Sequence, residues 1–166
     1  ETAYLLWHGA LPTQAQLDSL NIDLVTHRKL PGKFLSLLRA FATDASPMDA
    51  LRTSVSSLGL YDEDLTDNSP EANLRKAVRR TAQLATVTAA YYRLRSNKDL
   101  INPNPKLSHA ANFLYMLTGE TPDPLHARAF DIALILHADH ELNASTFAAR
   151  VTAGTLSDMH SAITSA

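Results

Sequence analysis

The feature that most limits the fold of this chain is an unbroken helical pattern from Ser69-Pro70-Glu71 to about Arg95. Ser69 and Pro70 are typical of an N-cap followed by a first helical residue. The predicted helix is longer than most helices of globular proteins. The chain also has only five glycines in 166 residues, while alanine and leucine dominate, and this composition favours helices over strands. We therefore predict an all-α, multi-helical fold.

Capping and breaking residues divide the rest of the chain into further helices. Thr13 and Gln16 have the spacing of a capping box, and two Ser-Pro pairs and one Pro-Gly pair act as start and stop signals. The predicted helices are Gln14 to about Lys29, one through the apolar stripe Phe34, Leu37, Leu38 and Phe41, Pro47 to Gly59, about Ser108 to Thr118, one from about Pro124, and Thr155 to Ala166. The helix from Thr155 to Ala166 has no stop signal, and the chain begins directly with an apolar stretch. We therefore expect a partial helical domain that is short at both ends. No internal boundary is placed within residues 1–166.

Composition excludes several classes of protein. The formal net charge of −2 provides no positive field that would recruit nucleic acid or an anionic membrane. The absence of cysteine excludes disulfides, thiolate-bound metals and thiol catalysis. We see no signal peptide, and no apolar run approaches the roughly 20 residues that span a bilayer. These features are compatible with a cytoplasmic location.

Two charged segments are predicted to face solvent. Residues 60–68 form an acidic run, which we interpret as an exposed loop. A basic cluster follows along one side of the long helix, and we predict a solvated face or a partner contact, with anion binding as the alternative. The basic cluster comprises Arg75, Lys76, Arg79 and Arg80. The apolar residues 113–117, by contrast, are predicted to belong to the core.

The densest group of functional side chains is the segment Leu134–Asn143, which reads LILHADHELN. The apolar helix before it, from about residue 125, is predicted to be buried. At the end of that helix His137 and His140 appear beside two carboxylates, where the core must open or the polar groups must pair.

Three interpretations of His137 and His140 stay open from the residues alone. Their i, i+3 spacing could place two metal ligands on one face, but the order matches neither HExxH nor HxxEH and no third ligand is evident, so we predict no metal site. A structural pair of hydrogen-bonded histidines is the second interpretation. The third is an anion site, because a histidine can donate to a carboxylate while a helix that starts near Asn143 directs free N–H groups to the same place.

Four segments resemble citrate synthases of the bacterial and archaeal type, in the order found in that family. The longest is Leu134 to Val151, LILHADHELNASTFAARV. The other three are Ala3 to Leu17, AYLLWHGALPTQAQL; Pro47 to Ser56, PMDALRTSVS; and Ser108 to Glu120, SHAANFLYMLTGE. The resemblance extends across nearly the whole chain and is highly specific.

The resemblance implies an all-helical homodimer that condenses acetyl-CoA with oxaloacetate to citrate and CoA, with no further cofactor. In the family two histidines and an aspartate perform the chemistry, and the motif Gly-Pro-Leu-His-Gly that carries the first histidine is absent from this chain. We therefore expect residues 1–166 alone to be inactive. His140 is the one substrate ligand that the resemblance transfers, as a hydrogen-bond donor to oxaloacetate. His137 and Asn143 match supporting positions, and His160 stands where the family usually has tyrosine.

Two alternatives remain beside citrate synthase. One is 2-methylcitrate synthase, which uses propionyl-CoA, and the other is a non-catalytic helical module that assembles with a partner chain. The resemblance also places the long helix at the two-fold interface of the family's dimer, so we expect a second protomer to cover Ala82, Ala85 and Ala89.

Overall fold

The computed structural model describes residues 1–41 and 43–166, and within them every regular element is a helix. The prediction of an all-α fold is therefore confirmed. The nine helices of the described residues are α1 Thr2–His8, α2 Gln14–His27, α3 Gly32–Arg39, α4 Pro47–Gly59, α5 Pro70–Arg95, α6 His109–Thr118, α7 Pro124–Leu136, α8 Ala144–Gly154 and α9 Met159–Ser165.

Side-chain caps explain why several helices begin where they do. Thr13 and Gln16 form the predicted capping box of α2. Ser69 accepts a hydrogen bond from the Ala72 N–H at the start of α5, and Pro70 is the first residue of that helix. Such caps satisfy backbone donors that have no partner within the helix.

The long helix α5 is the centre of the fold, and it packs against α2, α4 and α6. Its two ends meet two clusters of buried apolar side chains. The cluster with α2 contains Leu20, Leu24, Val78 and Ala82, and the cluster with α3 and α4 contains Leu30, Phe34, Leu38, Ala50, Leu58, Val87, Ala90 and Tyr91. Helices α6 and α7 then pack together, as do α8 and α9, and α9 returns to α4.

The alanine face of α5 is covered by this chain itself. Ala82 is fully buried in the cluster with Leu20 and Leu24, and Ala89 is 1% exposed. The prediction that a second protomer covers these two alanines is therefore wrong, because helices from the same chain already occupy that side. Ala85 is half-buried.

The prediction that residues 125–136 form a buried helix is also wrong. Helix α7 forms, but none of its residues is buried. One side packs on α6, where the rings of Phe113 and Phe130 stack with centroids 4.9 Å apart. The side away from Phe130 exposes large apolar side chains, namely Leu125, Ile132, Ile135 and Leu136. Leu134, one turn after Phe130, is also exposed. Apolar composition predicted burial, whereas burial depends on how many neighbours surround the helix.

The predicted continuous helix from Thr155 to Ala166 is interrupted at its start. Helix α8 ends at Gly154, and Leu156 has a φ of 64°, a left-handed conformation that an α-helix does not accommodate. Asp158 then caps α9, since its Oδ1 accepts a hydrogen bond from the Ser161 N–H at 3.0 Å. The predicted helix therefore begins only at Met159, as α9.

Candidate functional site

The three residues of the predicted site lie at the connection between α7 and α8. His137 follows the last residue of α7, Asn143 precedes the first residue of α8, and His140 lies between them. Glu141 has a φ of 58°, and its N–H donates to Asp139 Oδ1 at 3.1 Å. The chain thus turns sharply within a few residues and brings the side chains of the connection together.

Asn143 links the start of α8 to His140. Its Oδ1 accepts a hydrogen bond from the Thr146 N–H at 2.8 Å, which caps the helix. The Nδ2 amide of the same side chain therefore faces the other way, and it donates to His140 Nδ1 at 3.3 Å. A nitrogen that accepts carries no proton, so neutral His140 has its proton on Nε2. This nitrogen is free to donate to a bound oxygen.

His137 is held by the helix that precedes it. Its Nδ1 lies 2.7 Å from the Ala133 carbonyl oxygen, to which it donates, so neutral His137 has an unprotonated Nε2. The two histidines thus present opposite chemistry, a donor on His140 and an acceptor on His137. Across residues 1–41 and 43–166, no group of three or more His, Asp or Glu side chains is arranged to hold a metal ion.

The connection is open to solvent. His137, His140 and Glu141 are all exposed, and Leu142 beside them is 77% exposed. On α8, Phe147 is 71% exposed. The connection thus presents a polar donor and a polar acceptor beside uncovered apolar side chains.

A second group of functional side chains was not predicted as a site. It joins the acidic run 60–68 to α5 and α9 in a network of ion pairs that we call the ion cluster. The ion cluster consists of Asp62, Asp64, Arg75, Arg79, Arg80 and His160. The prediction of an exposed acidic loop is wrong for Asp62, and that of a solvated basic face is wrong for Arg80, because these two side chains are buried in an ion pair. Arg75 is exposed, as predicted.

Arg79 is the bridge of the ion cluster. Its Nη2 lies 2.6 Å from Asp62 Oδ1 and 2.6 Å from Asp64 Oδ2. Arg75 holds Asp64 with two further hydrogen bonds, at 2.6 and 3.1 Å. Arg80 reaches Asp62 Oδ2 at 3.2 Å from a side chain that is 4% exposed. Two carboxylates thus pair with three arginines.

The remaining member of the basic segment, Lys76, is fully buried beside the ion cluster. Its ammonium group donates to the Asp67 carbonyl oxygen at 2.6 Å. The prediction of a solvated face therefore fails for Lys76 as well, and the basic segment fastens the loop to α5.

Burial and neighbouring charges shift the pKa values of these groups. Burial alone would raise the pKa of Asp62, but the hydrogen bond from the Asp64 N–H, the charge of Arg79 and the bond from His160 together lower it. Burial lowers the pKa of Arg80 to about 10. Burial, with the charge of Arg80, also lowers the pKa of His160 below 6.5. His160 is therefore neutral at physiological pH.

The sequence contained a signal for the ion cluster. Asp62 and Asp64 are two residues apart, and Arg75 and Arg79 are four apart on one helix face. The aspartates thus present two negative charges and the arginines two positive charges that could pair with them. What the sequence lacked was any indication that the loop folds back onto this face.

A groove of about 370 Å³ lies between α1, α2 and α5. Trp7, His27 and Arg75 are among the residues that line it, and none of His137, His140 and Asn143 does. The arginines in its wall are already paired with Asp62 and Asp64. The connection between α7 and α8 is therefore the better candidate site.

In the parts of the chain that the structure describes, no helix combines the length and the apolar character needed to cross a membrane.

Comparison with known proteins extends over the complete chain. The sequence model of the family described as "Citrate synthase, C-terminal domain" matches residues 1–166. A citrate synthase of Haloferax volcanii is 54% identical over 172 residues, which cover 100% of this chain and 45% of the relative. A citrate/2-methylcitrate synthase of Bacillus subtilis is 42% identical over 166 residues, which cover 100% of this chain and 45% of the relative.

The fold agrees with a solved structure. The crystal structure of citrate synthase from Pyrobaculum aerophilum superposes with a TM-score of 0.93 at 38% identity, covering 99% of this chain and 43% of that chain. The chain therefore spans less than half the length of each of these relatives.

Proposed function

Because this chain belongs to the citrate synthase family, we propose that it works as part of a longer polypeptide that condenses acetyl-CoA with oxaloacetate to citrate and free CoA. The observation that carries the proposal is the 54% identity to a citrate synthase across the whole of this chain. In the reaction, the methyl carbon of the thioester loses a proton and forms a bond to the ketone carbon of oxaloacetate, whose oxygen takes up a proton. Water then cleaves the thioester to a carboxylate and the free CoA thiol. On this proposal residues 1–166 are a partial domain that supplies one wall of the active site.

His140 is the substrate ligand of this proposal. Its Nε2–H is the free donor of the connection, since Nδ1 is occupied by Asn143 at 3.3 Å. Oxaloacetate offers carboxylate and keto oxygens, and a hydrogen bond between a neutral donor and a charged acceptor is stronger than one between neutral groups. Asn143 supports His140 by fixing its tautomer, and His137 supports the end of α7.

The homodimer stays a prediction, but the structure changes which surface supports it. The exposed side of α7 carries four large apolar side chains, Leu125, Ile132, Ile135 and Leu136, whereas the predicted alanine face of α5 is covered. Contiguous apolar patches are rare on monomers and often mark protein contacts. We therefore assign the dimer contact to α7 instead of α5. A cytoplasmic location also remains a prediction from the sequence.

A second candidate function is 2-methylcitrate synthesis, in which propionyl-CoA replaces acetyl-CoA. It is favoured by one observation, the 42% identity to a relative whose name carries both activities. The two acyl groups differ by one methylene, which a hydrophobic pocket distinguishes by only about 10- to 200-fold. The acyl-CoA preference is thus a separate measurement from the reaction type.

The test is CoA release by the complete protein that contains this chain. We expect release that requires both oxaloacetate and an acyl-CoA, and a comparison of acetyl-CoA with propionyl-CoA decides between the two candidates. Residues 1–166 alone are the matched control and should show no release above background, because the reaction needs groups positioned around both substrates. Release by residues 1–166 alone would contradict the assigned roles, and a complete protein without release would support the non-catalytic module.

A further inference from the structure

Helix α8, whose cap contacts His140, is held in place mainly by α9. The two helices pack side by side, and α9 in turn packs on α4. Thr152 Oγ1 of α8 donates to Ser165 Oγ at 2.9 Å, and Ser145 Oγ donates to the Ala166 carbonyl oxygen at 2.8 Å. The position of α9 therefore determines where the N-terminus of α8 and its cap Asn143 lie.

His160 anchors α9 to the rest of the chain. It is 2% exposed, and its Nε2 lies 2.9 Å from Asp62 Oδ2 in the ion cluster. Its ring also lies against Gly59 at the end of α4, where an added Cβ would be 3.3 Å from His160 Cγ. One side chain of α9 thus contacts both α4 and the loop that follows it.

This anchor is built for a neutral imidazole. Asp62 carries no proton, so His160 Nε2–H donates to it and Nδ1 is unprotonated, buried and without a hydrogen-bond partner. Protonation would place an N–H at Nδ1 that has no acceptor, and it would add a cation beside Arg79 and Arg80. Asp62 and the N-cap Asp158 attract the added proton, but burial and Arg80 outweigh them and lower the pKa of His160.

We propose that His160 is a positioning residue for His140, which acts through α9 and α8 and holds the site in its oxaloacetate-binding arrangement only while its imidazole is neutral. The proposal rests on the proposed function, since it assigns oxaloacetate to His140. A chain of contacts carries it from the ion cluster to the site: Asp62 holds His160, α9 holds α8, and Asn143 at the start of α8 holds His140. The position of His140, the oxaloacetate donor, thus depends on the protonation state of His160, which does not touch the substrate.

The experiment measures KM for oxaloacetate and kcat of the complete protein from about pH 5.5 to about pH 8. His160→Gln is the conservative variant, because its amide nitrogen can donate to Asp62 and does not titrate. In the wild type we expect KM to rise as pH falls below 6.5, by at most about ten-fold per pH unit for one group. His160→Gln should keep a low KM with a weaker pH dependence, and His160→Ala should have a raised KM at every pH.

Superimposable pH profiles of KM for the wild type and His160→Gln would overturn the proposal, because a purely structural histidine would behave in that way. If His160→Gln does not fold, the ring of His160 is titrated by NMR in the wild type. Amide exchange in α8 that increases as His160 takes up a proton supports the proposal, and exchange in α8 that does not follow this titration overturns it.

Failure of the proposed function gives a different result. If the complete protein binds no oxaloacetate at any pH, the assignment of this substrate to His140 is wrong. The coupling between α9 and α8 can then still be tested. Amide hydrogen exchange in α8 and α9, corrected for intrinsic rates, should still increase at mild acid pH in the wild type and not in His160→Gln. Equal exchange in the two proteins overturns the coupling itself.

Discussion

His160 Nε2 lies 2.9 Å from Asp62 Oδ2, although the two residues are 98 positions apart in the chain. Asp62 is the third residue after the end of α4, and His160 is the second residue of α9. The same carboxylate also accepts hydrogen bonds from Arg79 and Arg80 of α5. One buried aspartate therefore joins three helices.

Replacement of this aspartate should destabilise the fold strongly. Asp62→Asn keeps the size of the side chain but leaves Arg80, which is 4% exposed, without its counter-charge. Removal of one partner from a buried ion pair costs about 3–5 kcal/mol of unfolding free energy. Denaturant titration of the complete protein gives this free energy.

The exposed pair Arg52–Asp49 provides the control for that measurement. Its N–O distance is 2.9 Å, and both side chains are more than half exposed. Asp49→Asn should change the unfolding free energy by less than about 1 kcal/mol. Equal losses in the two variants would show that burial of the ion cluster has no energetic consequence.

The free energy of unfolding should fall as the pH falls through 6.5. Burial lowers the pKa of His109 and of His160 below this value, with further contributions from Arg28 and Arg80 respectively. The unfolded chain therefore binds more protons than the folded chain just below pH 6.5, and each group removes at most about 1.4 kcal/mol per pH unit.

Aspartates affect stability in a lower pH range. The pKa of Asp62 and that of Asp158 are lowered from 3.8, so the stability that they contribute is present above this value and is lost below it. Denaturant titrations at a series of pH values separate the two ranges. An unfolding free energy that does not change between about pH 5 and 7 would contradict the lowered pKa values of His109 and His160.

His140→Ala should weaken the use of oxaloacetate by the complete protein. The variant leaves a substrate oxygen without its donor, and a hydrogen bond to a charged group contributes about 1.5–3 kcal/mol. kcat/KM should therefore fall by roughly ten- to a hundred-fold. His126→Ala, on the exposed surface of α7, is the matched control and should have wild-type kinetics. Unchanged kinetics in His140→Ala would return that residue to a structural role.

Asn143 allows capping to be separated from tautomer control. Asn143→Ala removes the hydrogen bond to the Thr146 N–H and should cost about 1 kcal/mol of unfolding free energy. Asn143→Asp keeps the cap, but it places an acceptor where Nδ2 donates to His140. Neutral His140 should then carry its proton on Nδ1 and lack the Nε2–H that donates to oxaloacetate. KM for oxaloacetate should therefore rise, while the unfolding free energy stays close to that of the wild type. Equal kinetics in Asn143→Asp and the wild type would exclude control of the tautomer by Asn143.

A charge on the exposed side of α7 should disrupt the proposed dimer. Ile135→Glu places a carboxylate in the apolar patch, where burial by a partner would leave it unpaired. Sedimentation of the complete protein should then show monomers. Ile22→Glu on α2 is the control, since Ile22 is 65% exposed and lies on a different helix. A dimer that survives Ile135→Glu with native stability would place the interface elsewhere.

The helices were predictable because their signals are local. Pro47–Gly59 and Pro70–Arg95 were predicted with the observed bounds, since each begins at a Ser-Pro pair whose effect spans a few residues. The contact between His140 and Asn143 is equally local. The burial of Asp62 was missed because its side-chain partners lie 17 to 98 residues away. Burial of α7 was predicted wrongly for the same reason, because its neighbours are a property of the whole fold.

The close approach of Gly59 to His160 means that neither position can change freely. An added methyl group at residue 59 would lie 3.3 Å from His160 Cγ, so Gly59→Ala requires the imidazole to shift. A smaller residue at 160 would relieve this crowding but would also lose the bond to Asp62. The effect of a substitution at either position thus depends on the residue at the other. Over evolutionary time we expect residues 59 and 160 to vary together, as an epistatic pair.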